Sequence, residues 1–391
     1  MLVNGERALA YIVTVDEIKP IPNYDRVEHV RVGGWWIICH KGDFNVGDKA
    51  LYIETDSLVP SDDERFAFLE SKHYKVRTIR MCKVYSQGLL MPLNLFPELK
   101  FKQVHEDVTK LLGIKYYVAE DNARKAKTNL NAKYNNMCAR NKKLSKKKWW
   151  KWLMKRTWGR KLLFVFFGRK RDNPKKFPEW IKKTDEERIE SCPWMLDDKN
   201  PYIKTEKLDG TSTTVFLDLT CRKPDFGVCS RNVRQMDMNE ENYHSKDASG
   251  NVYWEMAIKY HMEDALKKIA KERNAKRVVL QGETYGEALQ ANPYKMSGRD
   301  FAAFNLMLDG IRLGSIEAKN ILDGYGIPFV PIIDDNYILP DKEDFEEFKQ
   351  SADGMSVINK KCRREGFVYR SQDGQKSFKN VSRKYLMAKG E

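Results

Sequence analysis

One lysine, Lys207, stands out for its setting. It ends an extended, partly apolar run and opens Lys207-Leu208-Asp209-Gly210, with Thr205-Glu206 before it and Thr211-Ser212 after it. A lysine amine attacks an electrophile only when neutral, so a nucleophilic role requires partial burial and neighbouring cations. The ordinary reading of the same residues is a solvated turn between two strands. Two carboxylates downstream are harder to place on the surface. Glu283 lies in Leu280-Gln281-Gly282-Glu283-Thr284-Tyr285-Gly286, and Glu365 in Glu365-Gly366-Phe367-Val368-Tyr369-Arg370. Both flank a glycine beside an apolar strand, where an unpaired carboxylate would be costly. The six histidines and seven cysteines show no metal-ligand spacing. Any metal would therefore be a hard one, held by carboxylates and phosphates.

Three further segments complete an ordered set: Ser230-Arg231-Asn232, Phe301-Ala302-Ala303-Phe304-Asn305-Leu306 and Lys376-Ser377-Phe378-Lys379. Their order and spacing resemble the covalent nucleotidyltransferase superfamily of polynucleotide ligases and mRNA capping enzymes, from about residue 177 onward. Capping guanylyltransferases and ATP-dependent DNA ligases normally continue into a C-terminal barrel. Only 12 residues follow Lys379, which leaves no room for one. A barrel-like region stands instead at the N-terminus. With Phe44–Asp48, Ser86–Leu90 and Thr184–Ile189, the chain is similar to the Deinococcus-type RNA ligase family.

That resemblance implies a site and a reaction. Lys207 would take AMP from ATP and release pyrophosphate, with Lys379 neutralising the α-phosphate and Lys376 as a weaker second cation. Glu365 would hold a divalent metal, Mg²⁺ or Mn²⁺, and Glu283 the ribose hydroxyls or a metal-bound water. Phe304 would stack on adenine, Glu206 read its edge, and Arg231 grip the nucleotide or the 5′-phosphate of the acceptor. AMP would then pass to a 5′-phosphate end, and a 3′-hydroxyl would seal the strand. The expected substrate is RNA or an RNA-containing nicked duplex, and the role RNA repair. Plain alternatives stand beside each residue. Phe304 fits a core aromatic, Arg231 a surface ion pair, and the two glutamates structural salt bridges. At the level of function the alternatives are a capping-type guanylyltransferase and a non-catalytic nucleic-acid-binding protein derived from a ligase.

The elements that must position these residues fall into three stretches. Residues 1–120 read as an all-β, oligonucleotide-binding (OB)-like barrel domain. Short β-branched and aromatic runs at Ala8–Val15, Val27–Val32, Trp35–Cys39, Lys49–Glu54 and Lys75–Met81 are divided by turn signals such as Gly33-Gly34. Residues 177–391 read as an α+β nucleotidyltransferase domain of antiparallel sheets and helices. Its strands are expected around Tyr202–Lys207, Ser212–Asp218, Val278–Thr284, Phe301–Met307 and Phe367–Ser371. Its helices are expected at Thr184–Glu187 (a capped N-terminus), Trp254–Arg273, Gly314–Gly324 and Lys342–Ala352.

Residues 121–176 are a basic, Trp-rich linker or insertion. Between Asn122 and Arg171 stand 18 Lys and Arg and no Asp or Glu. The net charge of +15 comes from that stretch, because the rest of the chain holds 52 basic against 55 acidic residues. Cations among Trp149, Trp150, Trp152 and Trp158 fit phosphates and unpaired bases, or equally an insertion anchored on a neighbouring domain. With the N-terminal domain, the stretch is expected to clamp a nicked duplex. Deleting residues 1–171 would then spare lysine adenylylation and reduce sealing. No run of 18 apolar residues occurs, the N-terminus is charged, and the cysteines are odd in number and scattered. A cytoplasmic monomer with free thiols, bound to no membrane, is the expectation.

Overall fold

The computed structural model describes residues 2–3, 6–117, 142–167, 176–235 and 251–390. By its internal contacts the chain forms two compact units, one of residues 1–116 with 176–391 and one of residues 117–175. In the first unit the N-terminal strands are short and antiparallel. β1 (Ala10–Thr14) pairs β5 (Lys49–Ile53), which pairs β6 (Leu89–Pro92), while β2 (Glu17–Ile21), β3 (Tyr24–Val32) and β4 (Trp35–His40) form a meander. The ladders thus make several small sheets instead of one unbroken barrel sheet. The run Lys75–Met81 is not one strand. It divides at Arg77, with Lys75–Val76 on Ser57–Leu58 and Thr78–Met81 in a hairpin with Val84–Gln87. Two apolar clusters fill this region, one around Ile12, Leu51, Phe66 and Phe96, the other around Trp35, Tyr52 and Val30.

The second unit is helical where it is described. α1 (Lys148–Met154) and α2 (Thr157–Phe167) pack Trp150 and Leu163 into a small core of their own.

Two five-stranded sheets carry the C-terminal part. One runs in the order Glu187–Arg188, β14 (Ser377–Val381), β13 (Gly366–Ser371), β7 (Tyr202–Lys207), β12 (Ile332–Tyr337). The other runs β9 (Asp225–Ser230), β8 (Thr211–Asp218), β10 (Arg277–Gly286), β11 (Arg299–Leu308), Ile311–Arg312. The expected helix Trp254–Arg273 is two helices, α3 (Val252–Lys259) and α4 (Met262–Glu272). His261, at φ +45°, breaks them apart, since a left-handed residue cannot continue a right-handed turn. Together they bury one apolar face, with Trp254, Met262, Ala265, Leu266 and Ile269 packed under β8 and β10 and Ile258 only half-buried. α5 (Ser315–Asp323) and α6 (Phe345–Ser351) follow the sequence pattern, and α7 (Arg383–Lys389) ends the described chain.

Thr184–Glu187 is not a helix start. Its acids find guanidinium partners instead of a helix dipole: Asp185 bonds Arg231, and Glu186 bonds Arg370. Glu187–Arg188 then joins β14 as a parallel edge. From here charged groups run into the N-terminal strands. Arg188 donates to Asp56 at 3.0 Å, Arg7 to Glu54 at 2.8 Å, and Ser191 to Glu54 at 3.3 Å. The expected Gly33-Gly34 turn packs on the same segment. Gly34 donates to the Glu190 carbonyl, and a Cβ on Gly34 would sit 2.6 Å from the Glu190 Cα.

Burial pushes the Glu54 carboxyl up, yet neighbouring positive charge, Arg7 first, outweighs it and the group is held at about 2, below its ordinary 4.5. A depressed carboxylate contributes stability that is whole above pH 4.5 and is lost as pH falls through about 2. That displacement corresponds to about 3 kcal/mol. Urea unfolding of Glu54→Gln should therefore show a flatter acid limb in this window than the parent. An unchanged limb would show that this pair does not set the acid stability.

Candidate active site

The antiparallel register of β7 with β13 sets Lys207 opposite Gly366, so Glu365, one residue before that strand, arrives beside the lysine. Lys207 Nζ and Glu365 Oε1 meet at 2.7 Å. Gly366 makes this approach possible: its φ is +154°, and a Cβ there would lie 2.2 Å from the Asn380 carbonyl oxygen. Leu208-Asp209-Gly210 then crosses from β7 to β8, where Ser212 pairs Glu283 of β10. Gly210 lets the crossing lie flat on β10, since its Cβ would come 2.2 Å from the Thr284 carbonyl oxygen. Two sheets and one turn thereby surround Lys207 with Asp209, Glu283 and Glu365.

The electrostatics follow from that crowding. Burial pushes Glu283 up to about 8, and Glu365 and Asp209 push the same way while Lys207 opposes them. Glu365 is raised by burial and by Asp209, again against Lys207. Burial disfavours the Lys207 ammonium, but Glu365, Glu283 and Asp209 outweigh it and hold the amine above its ordinary range. This reverses the sequence expectation of a lowered nucleophile. Among these groups the carboxyls win, and the lysine is held as an ammonium. The second oxygen of Glu365, Oε2, is buried without a hydrogen-bond donor. An orphaned carboxylate oxygen beside another carboxylate fits a hard divalent cation.

Facing these acids is a group of cations. Burial, then Arg7, Lys207 and Arg188, lower half-buried Lys379 to about 7. Asp185 is held low by Arg231 and Lys379 against its own burial. Arg231 reaches this group through that aspartate, with oxygens at 2.6 and 2.7 Å, and its guanidinium lies 5.2 Å from the Tyr116 ring centroid. Glu206, one residue from Lys207 and so on the other face of β7, accepts from the Val357 amide at 2.8 Å. Its Oε1 is buried without a donor, and burial raises its pKa. Phe304 is the extra residue at the register shift between β10 and β11. It is half-buried against the Leu208, Tyr285 and Tyr294 cluster, with the Arg370 guanidinium 5.6 Å from its ring. Lys376 is not brought to the cluster. It is exposed, pairs with Asp198, and stands at the opposite end of β13 and β14 from Lys207, because the strand pairing puts Ser377 on Arg370 and Val381 on Gly366.

Several residues of the site have no sequence signal that names their partner. Asp209 Oδ2 accepts from Tyr385 Oη at 2.6 Å and pairs with Lys389 Nζ at 2.7 Å, so α7 grips the turn after Lys207. Tyr294 Oη accepts from the Asp209 amide at 2.7 Å. Tyr385 and Lys389 stand four apart on a helix capped by Ser382, which the sequence displays, but the aspartate they reach is some 180 residues away. Arg7 and Arg188 likewise act at long range.

The fold is that of a nucleotidyltransferase. An RNA ligase family model matches residues 200–386, and an OB-fold domain model matches residues 9–93. Among solved structures, the chain resembles Naegleria gruberi RNA ligase. A mutant without ligand matches at 28% identity and TM-score 0.74, over 98% of each chain. The protein with pyrophosphate matches at 28% and 0.74, over 98% of this chain and 99% of that one. A mutant with ATP and Mn matches at 27% and 0.73, over 97% and 98%. No curated protein matches the chain. Residues 200–386 thus match the RNA ligase family model and residues 9–93 an OB-fold domain, and over nearly its whole length the chain is similar to an RNA ligase.

Losing one hydrogen bond to a buried charged group costs about 1.5–3 kcal/mol. Tyr385→Phe and Lys389→Met should therefore each slow formation of the AMP adduct expected at Lys207 by roughly 10- to 100-fold. Lys389→Arg should retain most of the rate. Single-turnover labelling measures this, and parent rates in both variants would remove α7 from the reaction centre.

Proposed function

We propose that this protein is an ATP-dependent RNA ligase that joins 5′-phosphate to 3′-hydroxyl ends through AMP carried on Lys207. The observation that supports this most is Lys207 at 2.7 Å from Glu365, inside a cluster that also holds Asp209 and Glu283 and is faced by Lys379. The ATP- and Mn-bound states of the similar Naegleria ligase fit the same reading.

In the first step the Lys207 amine attacks the α-phosphorus of ATP. A P–N bond forms, the P–O bond to pyrophosphate breaks, and the ammonium proton must leave before attack. Glu365 and Glu283 are the residues that would hold a divalent cation, whose chemistry here is charge neutralisation at the phosphates. Among the described residues no three acidic, histidine or cysteine side chains form a ready metal cage. Phosphate and water would supply the other ligands. Were Glu365 so engaged, Lys207 would lose its ion-pair partner, and its burial would favour the neutral amine. Lys379, easily deprotonated among its cationic neighbours, regains its charge beside a phosphate and stabilises the transferring group. Phe304 offers a ring to adenine, the free oxygen of Glu206 an acceptor for an amino group, and Arg231 a grip on phosphate.

AMP then passes to a 5′-phosphate, giving a 5′–5′ pyrophosphate. The 3′-hydroxyl attacks that phosphate and AMP leaves. Nicks in duplexes with RNA on the 3′-hydroxyl side are the proposed substrate, in cytoplasmic RNA repair. Among the described residues no helix is long and apolar enough to cross a membrane.

Deleting residues 1–171 would remove Arg7, Glu54 and Asp56 from the neighbourhood of Arg188 and Lys379, so adenylylation is expected to fall along with sealing. Substitutions separate the roles. With α-phosphate-labelled ATP, the parent should carry a covalent label that Lys207→Ala abolishes. Lys379→Ala should lower the rate by about 100-fold or more, and Lys376→Ala by less than about twofold. A covalent GMP adduct in place of AMP would overturn the assignment. So would a labelled protein that seals DNA nicks but no RNA end.

A further inference from the structure

The helical pair α1–α2 plays no part in the chemistry above, and its outer surface is unusual. The two helices close at Gly159, where a Cβ would lie 2.3 Å from the Leu153 carbonyl oxygen. Trp150 and Leu163 fill the inside. Trp152 and Trp158 remain 51% and 54% exposed on the outside. They are held edge to face, with centroids 6.1 Å apart and planes at 85°. The Arg156 guanidinium lies 3.6 Å from the Trp152 centroid, which fixes that ring by cation–π contact. Lys148, Lys151, Lys155 and Lys161 surround the pair and are exposed. No Asp or Glu occurs anywhere from Asn122 to Arg171 to compete for them.

We propose that α1–α2 is a binding surface for unpaired RNA, with bases stacked on Trp152 and Trp158 and phosphates on the surrounding cations. This rests on reading the protein as an RNA ligase. The charge points to a polyanion, and the rings narrow the choice. Two indoles at right angles accept bases free to turn independently, which a duplex stack forbids. Exposed Leu162, Val165 and Phe166 continue along α2 and would also suit an anionic lipid surface. The Arg-capped, mutually fixed tryptophans favour base stacking, because a lipid-facing ring needs neither partner.

The test uses the full-length protein and a fluorescent oligouridylate of about twelve nucleotides, beside a blunt RNA duplex of the same length. Trp152→Ala with Trp158→Ala should weaken single-strand binding by about 30-fold or more and duplex binding by less than about threefold. Tyrosine at both positions should restore most of the single-strand affinity, since a ring is retained. Nucleotide labelling of Lys207 should match the parent in every variant. Unchanged single-strand affinity overturns the proposal. So does an equal loss for both RNAs, which would mean phosphate contact alone. Tryptophan-dependent flotation with phosphatidylserine vesicles, without an effect on RNA, would assign the surface to lipid. If the parent takes no nucleotide label, the ligase reading fails, and the RNA measurements still judge this surface by themselves.

Discussion

The contact between Lys207 and Glu365 is the interaction on which the rest depends. It exists because β7 and β13 pair in one register, with Lys207 opposite a glycine that alone tolerates its backbone angle and the adjacent Asn380 carbonyl. A slip of one residue would send Lys207 to the other face, where Glu206 now points. A partly buried ion pair adds little net stability, but losing one partner leaves the other charge without compensation. Lys207 and Glu365 therefore hold each other in place. Two further carboxylates, Asp209 and Glu283, make the arrangement costly without a cation among them. Lys207 supplies that cation to Glu365, and Lys389 supplies one to Asp209.

This gives a physical account of how a nucleophile can be kept inactive until its substrate arrives. The proposed reaction needs a neutral amine, and the resting cluster holds an ammonium. The same carboxyl groups that raise Lys207 are those proposed to hold a metal ion, so engaging them elsewhere would release the amine. The cationic side works in the opposite sense. Arg7, Arg188 and Lys207 make a proton on Lys379 expensive until negative charge enters between them. On the proposed reading Lys379 gains its proton when phosphate enters, and Lys207 loses its own when Glu365 is engaged elsewhere. Arg7 comes from the N-terminal strands, held by Glu54 and Asp56, so that part of the chain contributes to the potential at the site as well as to the fold.

Periodicity and turn chemistry carried much of this fold. Tyr202–Lys207 is expected and found with the same ends, and the buried face of α3 and α4 follows the apolar spacing. What failed did so where tertiary partners overrode local preference. Thr184–Glu187 has every local mark of a helix start, but Arg231 and Arg370 offer its acids stronger partners than a helix dipole does. Lys376 lies three residues from Lys379, close enough to be taken as its companion, yet strand register carries it to the far end of the sheet. Asp209 was visible within its motif, while its hold by Tyr385 and Lys389 was not, because nothing local links residues so far apart in the chain. The direction of the Lys207 shift was also illegible, since it depends on which of burial and three carboxylates prevails.

The distribution of charge along the chain now has a reason. Asp209, Glu283 and Glu365 gather acidic groups around Lys207, and outside residues 122–171 acidic residues slightly outnumber basic ones. Coulomb repulsion by negative charge lowers both encounter rate and affinity for nucleic acid. Scattering lysines near the carboxylates would offset it, but those cations would pair with the very oxygens that the chemistry needs, as Lys389 already does with Asp209. Collecting the excess positive charge in a separate compact unit avoids that competition. It leaves the carboxyl groups available to Lys207, while the proposed RNA surface has no acidic residue of its own.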